Sequence, residues 1–411
     1  MPAAIMLAGA VMMIRTRAFF VLHPVGFVRT LAGGGSRGGV GSWAALSVSL
    51  AGVLGVGNIA GVCVAMALGG PGAVFWMWAS AFLSVPLKYA EIYLGVKYGG
   101  GGGSPMLYTE GLRGGKAVAR LYAALCLFSA LTLGNVTQTG AAASALSNAF
   151  SVPAPVTGAV IAAVSAFIII GRFEKLARLT SALVPLMSAA YIALCLSVII
   201  CRADRLPDAV ASVFANAFSG RAASGGAAGW CFASALRHGT VKGCFSHEAG
   251  SGTAVFAHSH AGASPEKQAC FGIFEVFFDT AVVCSLTAFA VLTSGVDIAG
   301  YSWSGTKCVL SAFSGVLGGG AGRAVSLCIS LFAFATVLCW SSYGLTALNY
   351  LSHGKGKAAY LAVYCAAAAA APMIESRAIW ALTDISVLSL TALNLITLLR
   401  RRNEIYPPEF I

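Results

Sequence analysis

Two short stretches of this sequence mix glycine with polar residues inside otherwise apolar runs, and they are where the chain could do chemistry. The first reads GVLGVGNIAG, Gly52 to Gly61. Each of its glycines raises the cost of a continuous helix by about 1 kcal/mol relative to Ala. Two uses fit. Small residues allow close helix packing in a membrane. Alternatively the helix unwinds at mid-membrane, where freed carbonyls would face a cation and half-helix N–H groups a carboxylate. Unwound backbone is tolerated there only if it lines a cavity or is buried in protein, and Asn58 within the cluster favours that use. The second stretch, GCFSHEAGSGTA from Gly243 to Ala254, repeats the pattern.

Other polar residues fall inside apolar runs. Gln138 fits an interhelical bond or a substrate contact equally well. Glu275 and Asp279 are four apart and share a helix face. Ionisable residues inside a membrane are costly and mark functional sites. Their position near one end of the run predicts a gate or a pairing with Lys or Arg rather than a proton relay. Thr336 and Trp340 are also four apart, and a Trp in mid-run departs from the interfacial belt where Trp concentrates, which marks a pocket wall. His258 and His260 lack the Cys or carboxylate neighbours of a metal site. The five glycines of Gly99–Gly103 lack the Lys-Ser/Thr of a phosphate loop. The 12 cysteines form no CxxC pair, which argues for packed free thiols.

These residues must be positioned by membrane helices. The 411 residues are 58% hydrophobic and only 10% charged, with mean hydropathy +0.82, whereas soluble domains carry roughly 25% charged residues. The apolar runs are continuous and long enough for helices that cross about 30 Å of hydrocarbon, unlike the alternating segments of a membrane barrel. Eleven spans are expected, over 2–21, 43–69, 71–97, 118–149, 153–171, 176–201, 226–257, 267–294, 322–350, 358–374 and 378–399. The first lacks the basic flank of a signal peptide. Spans two to six and seven to eleven make two sets of five, each opened by a glycine-interrupted run. Five is odd, so the second set enters from the opposite side: an inverted repeat with the site between the two broken helices. The boundaries are an N-terminal helix and loop over 1–42, repeats over 43–201 and 226–399, a linker over 202–225 and a tail over 400–411.

The net charge of +12 points to topology rather than nucleic acid. Assigning alternate loops to opposite sides gives one side 18 Lys and Arg and the other 6. The richer side, with Lys242 counted among its loops, carries the Arg400–Arg402 tail. That sets the tail in the cytoplasm and the N-terminus outside, in a multi-pass protein of the cell (inner) membrane.

The segment GVGNIAGVCVAMALGGPGAVFWMW, Gly55 to Trp78, resembles the signature of the alanine/glycine:cation symporter family. The likeness continues through KYAEIYLGVKY, GGSPMLYTEGL, FSHEAGSGTA, FGIFEVFFDT and WSSYG, covering most of 40–350. The resemblance implies sodium-coupled uptake of alanine or glycine, without further cofactor or obligatory protein partner. It also implies a leucine-transporter-like five-plus-five core behind one N-terminal helix. A zwitterion would set its carboxylate on N–H groups near Val56, Gly57 and Asn58, bounded by Gln138, Phe245, Thr336 and Trp340. Sodium would sit among Ala51, Leu54 and Thr336. The sequence departs from the family at Val56, where Thr is usual, at His247, where Asn is usual, and at Leu345, where Glu is common. The span GNVTQTGAAASAL is also poorer in polar residues than expected. The departures motivate an alternative, a non-transporting amino-acid sensor on the same fold, beside a proton-coupled transporter. An enzyme is disfavoured, since neither H-E-x-x-H nor G-x-S-x-G occurs, and a channel is disfavoured because no filter-like loop repeats.

The charge bias makes a topological prediction. Single cysteines introduced beside Arg400–Arg402 should react with a membrane-impermeant thiol reagent only from the cytoplasmic side. Labelling from outside alone overturns the span count.

Overall fold

Lipid offers the backbone no hydrogen bonds, so each apolar run closes its own helical ladder. In the computed structural model, which describes residues 2–33, 40–99, 102–169, 173–218 and 227–408, all eleven expected segments are occupied by helix. In chain order they hold α1 Pro2–Arg15, the pair α2 Ser42–Val53 and α3 Val62–Gly69, α4 Ala73–Gly99, the pair α5 Gly115–Leu131 and α6 Thr137–Phe150, α7 Ala154–Ile169 and α8 Phe173–Cys201. After α9, Leu206–Ala217, come α10 Ala227–His247 with α11 Val255–His258, then α12 Pro265–Val276 with α13 Ser285–Ser294. The chain closes with α14 Gly305–Leu317, α15 Gly319–Ser352, α16 Lys357–Ala370 and α17 Ser376–Arg400. Among the described residues five helices are long and apolar enough to cross a membrane: α5 with α6, α8, α12 with α13, α15 and α17. The bent pair α2 and α3 makes a sixth. The other expected spans are shorter, or carry charge as α4 does at Lys88 and Glu91.

Large apolar side chains point outward where lipid would lie: Ile200 is 71% exposed and Leu186 68%. The most enclosed span is α15, which packs on α5 and α6. Helices α9 and α14 occupy stretches expected to be loops. In α9 the buried residues Ala209, Val213 and Ala217 recur every fourth position, the stripe of an amphipathic helix, but 12 residues are too few for a bilayer-length window. The first helix is shorter than expected. It stops at Arg15, where Arg17 and Ala18 turn left-handed (φ 55° and 46°). Lys242, counted above among loop charges, lies inside α10 and is buried; the charge bias keeps its sign without it. Arg37, Arg172, Arg221, part of the glycine run and the end of the 202–225 linker lie outside the described residues.

The second glycine-rich stretch is the structural crux. Helix α10 runs on through Gly243 and ends at His247. The chain then passes through Glu248, Gly250 and Gly252, all with positive φ (50°, 88° and 89°), before α11. Glycine adopts that conformation without strain. The freed groups are then satisfied one by one. The Glu91 carboxylate accepts from Gly250 N–H at 3.0 Å and Gly252 N–H at 2.9 Å. Lys88, one turn earlier on α4, donates to the terminal carbonyl of α10, His247 O, at 3.0 Å. Asn394 donates to Gly250 O (2.9 Å) and Tyr122 to Ser251 O (2.7 Å). His247 uses Nδ1 to accept from Ala249 N–H (3.0 Å). An Asn side chain makes the same contact two residues on in an Asx turn, so the His preserves the acceptor the usual Asn would supply.

Lys88 is itself held by Glu275, 2.9 Å away, and both side chains are fully buried. Glu275 reaches on to His258 (2.9 Å), and His258 to Gln268 (2.6 Å). Thus His258 is a network member, while His260 stacks on Phe173 at 3.8 Å. Removing one partner of a buried pair costs about 3–5 kcal/mol, because the other charge is stranded. Lys88→Met should therefore lower thermal stability in detergent by that amount, and adding Glu275→Gln should restore part of it. Full stability of the single variant would show that the pair does not hold the break.

Candidate functional site

The first glycine-rich stretch also breaks. Helix α2 ends at Val53, the ladder is interrupted over Leu54–Val56, and a π turn at Gly57–Gly61 leads into α3, giving a 53° bend. Glycine at the bend is demanded by close approach. A Cβ on Gly55 would lie 2.7 Å from Gln138 Oε1 and 2.9 Å from Thr336 Oγ1, and one on Gly57 would lie 2.6 Å from the Phe245 ring.

The expected site residues converge on this bend. Gln138 Oε1 accepts the Val56 N–H at 3.0 Å, while its Nε2 donates to Leu133 O at 3.2 Å. That carbonyl belongs to a second π turn, Thr132–Val136, where the helical ladder is relaxed. Thr336 Oγ1 donates to Ala51 O at 2.9 Å, which puts two hard oxygens side by side at the end of α2. Trp340 is buried and packs so closely on Gly134 that a Cβ there would fall 2.2 Å from its own Cβ. The indole N–H of Trp340 has no hydrogen-bond partner among the described residues. Phe245, three residues before the second break, packs edge-on against Trp380 (5.4 Å). Val56 is buried, and Leu345 is half-buried against the core.

Asn58 behaves differently from its neighbours. Its amide donates to Asp279 Oδ1 at 2.5 Å, and Asp279 Oδ2 accepts from Ser246 and Thr280 hydroxyls, each at 2.8 Å. Asp279 lies on a third π turn, Phe277–Cys284. The expected Lys or Arg partner is therefore found for Glu275 and not for Asp279, which makes no ion pair among the described residues. Four residues along a helix are one turn, and here that turn separates a structural ion pair from the site.

Beyond Phe245 the site meets a cavity of about 270 Å³, lined by Ala60, Thr137, Gly140, Trp303, Ile379 and Trp380 among others. Trp380 stands between cavity and site. The buried Lys242 ammonium lies 4.5 Å over its ring and 2.6 Å from Asp384 Oδ1 on α17. Sequence reasoning missed Lys242, Trp380 and Asp384; the charge of Lys242 inside an apolar run was the available signal.

A profile of the sodium:alanine symporter family matches residues 1–405. The sodium/alanine symporter AgcS of Methanococcus maripaludis is 33% identical over 89% of this chain and 82% of its own. The putative sodium/proton-dependent alanine carrier protein YrbD of Bacillus subtilis is 35% identical over 80% of this chain and 71% of its own. In fold, the chain matches the crystal structure of MhsT in complex with L-phenylalanine, with a TM-score of 0.66 at 13% identity, covering 87% of this chain and 88% of that one. That likeness, with two interrupted helices, is the leucine-transporter-like fold. With these matches and this architecture, the chain is a multi-pass membrane transporter, not an enzyme, and belongs to the sodium:alanine symporter family.

Proposed function

We propose that the chain imports a small neutral amino acid, alanine or glycine, together with sodium, by alternating access. The observation that carries this reading is the meeting of two interrupted helices, with Gln138, Thr336 and Phe245 pressed against the glycines of the first. The relatives' names, a sodium/alanine symporter and a putative sodium/proton-dependent alanine carrier, support the substrate and the ion. A substrate carboxylate would take the Val56 N–H that Gln138 now holds, along with N–H groups of Gly57 and Asn58. The Gln138 amide would then turn to the zwitterion. Sodium fits the hard oxygens of Ala51 and Leu54 carbonyls and the Thr336 hydroxyl. The glycine-lined bend leaves little room, so side chains beyond a few carbons clash with Phe245 and Trp340.

Access would alternate between two closures. One is Trp380 with the Lys242–Asp384 pair, facing the cavity; the other is the Lys88–Glu275–His258 network. With the Arg400–Arg402 tail in the cytoplasm, the cavity lies on the outer side, as uptake needs. The protein would sit in the cell membrane, N-terminus outside, and work without a further cofactor or obligatory protein partner.

Reconstituted protein should accumulate labelled alanine or glycine when an inward sodium gradient is imposed. Binding without accumulation would make it a sensor, and accumulation driven by a proton gradient alone would make it a proton symporter.

Two substitutions separate size from polarity. Trp340→Ala should weaken alanine and glycine while shifting relative affinity toward larger amino acids by about 1–3 kcal/mol. Gln138→Leu should weaken all substrates together by roughly 1–3 kcal/mol, since it leaves buried polar groups unpaired. Competition binding with an amino-acid series measures both; unchanged affinity and size ranking in both variants would reduce these residues to packing.

A further inference from the structure

Helices α4 and α12 touch closely where Lys88 meets Glu275, and a Cβ on Gly272 there would lie 2.2 Å from Ile92 Cδ1. Toward the start of α4 the two part. Trp78, Phe82 and Val85 on α4 then face Ile273, Phe277 and Ala281 on the α12–α13 span across a cavity of about 650 Å³. Spacings of three and four residues put each set on one helix face. The gap is closed at its far end, where Trp78 Nε1 donates to Ser285 Oγ at 2.8 Å. Ser285 Oγ donates on to Thr280 O (3.1 Å), and the Thr280 hydroxyl to Asp279 Oδ2 (2.8 Å). The polar groups of these walls are thus spent on one another, and the cavity offers an occupant apolar surface.

Its open side faces lipid. Val21, Phe82 and Phe277 at the mouth are 49%, 52% and 55% exposed. Phe20 and Phe27, from the short helices Phe19–Leu22 and Pro24–Ala32, form the remaining wall, with Phe20 edge-on to Phe82 at 6.1 Å. Water needs polar partners to stay in a cavity, and protein interiors pack without large voids, so the matching filler is a hydrocarbon chain from the bilayer. Two cations flank this wall in sequence. Arg17 lies three residues before Phe20 and Arg29 two after Phe27; both are exposed and make no ion pair among the described residues. They belong to the Lys- and Arg-rich side that the charge bias sets in the cytoplasm, where anionic lipid heads attract basic residues at the membrane surface.

We infer that this gap is a binding site for an anionic phospholipid of the cytoplasmic leaflet, with one acyl chain between α4 and the α12–α13 span and the phosphate head on Arg17 and Arg29. The location gives the lipid a consequence. Phe277, Thr280 and Ala281 belong to the π turn Phe277–Cys284, which also carries Asp279 to Asn58. An acyl chain in the gap would brace that turn from the lipid side. If the broken helices move against the α12–α13 span during alternating access, the bound chain would change the rate of turnover more than the affinity for substrate. This consequence rests on the transport reading above; the site itself does not.

The test uses full-length protein in mild detergent, with native mass spectrometry against added phosphatidylglycerol and phosphatidylcholine. Wild type should retain one phospholipid and prefer the anionic one. Arg17→Gln and Arg29→Gln should each cut that preference roughly fivefold. Ala81→Phe and Ala281→Phe fill the gap from opposite walls, and each should abolish retention; monodisperse elution shows which of them is folded. In vesicles, sodium-driven alanine uptake by wild type should be faster with phosphatidylglycerol than with phosphatidylcholine alone, and the gap-filling variants should lose that difference. A wild type that retains no lipid overturns the site, as does a folded gap-filling variant that retains as much as wild type. Equal retention of both lipids overturns the assignment of the head to the arginines. Retention as expected with uptake indifferent to lipid overturns the bracing role. Retention as expected without sodium-driven uptake in any vesicle overturns the symport reading and leaves the lipid site standing.

Discussion

A backbone that leaves the helix inside a membrane must find partners other than water, and this constraint organises the molecule. Between His247 and Val255 the chain is not helical, yet Glu91, Asn394, Tyr122, Lys88 and the His247 ring satisfy its freed groups. Two of these, Lys88 and Glu91, are one turn apart on α4, so a single face of one helix caps both the carbonyl end of α10 and the N–H groups of the loop. Their charges suit those positions, since a cation at a helix C-terminus and a carboxylate toward N–H groups are each favourable against the local dipoles. The cost is a buried ionic cluster that needs Glu275 and His258 to complete it. The helices carrying Lys88 and Glu275, α4 and α12, pack extensively on each other.

Much of this was legible in the sequence because glycine is informative in a membrane helix. Gly55 and Gly57 leave the space that Gln138, Thr336 and Phe245 fill; Gly250 and Gly252 supply positive φ. Clusters of a residue that disfavours helix, set among polar residues, mark where the ladder stops. What the sequence could not show is which polar neighbour turns toward which break. Glu275 and Asp279 share a helix face, and helical spacing alone assigns them one fate. The π turn at Phe277–Cys284 changes the local register and separates them, so one joins Lys88 and the other Asn58. Lys242 illustrates the same limit. Read linearly it is a loop charge; in three dimensions its ammonium is sheltered by Trp380 and Asp384, residues far along the chain. His247 shows the converse, since a departure in residue type preserves the hydrogen bond that the position requires.

At the bend of the first broken helix the protein itself pairs groups that the proposed cargo would otherwise meet. Gln138 holds the Val56 N–H, Thr336 holds the Ala51 carbonyl, and Asn58 holds Asp279. The first two satisfy backbone groups that the break at Leu54–Val56 exposes, and under the proposed function a carboxylate and a cation would replace them. The three π turns among the described residues lie at or next to these positions, which fits their frequent use at functional sites. Pairing the two backbone groups limits the unsatisfied atoms that the empty site buries, although Asn58 Oδ1 and Trp340 Nε1 have no hydrogen-bond partner among the described residues.

The two closures proposed above would differ in how readily they open. Lys88 and Glu275 are both fully buried, and Glu275 also bonds His258, so separating them strands charges in a low-dielectric interior. At the other proposed closure Lys242 is buried but the Asp384 side chain is 29% exposed. Parting that pair would strand less buried charge than parting Lys88 from Glu275. Trp380 is the remaining obstacle, held by the Lys242 cation over its ring and by Phe245 at its edge. Parting Lys242 from Asp384 therefore also loosens the ring that covers the site. The fully buried network, by contrast, yields only if the loop after His247 moves with it, because Lys88 holds the last carbonyl of α10. Opening at that end would thereby be tied to the same broken helix that carries Phe245 and Ser246, giving the proposed cargo site a direct mechanical route to that closure.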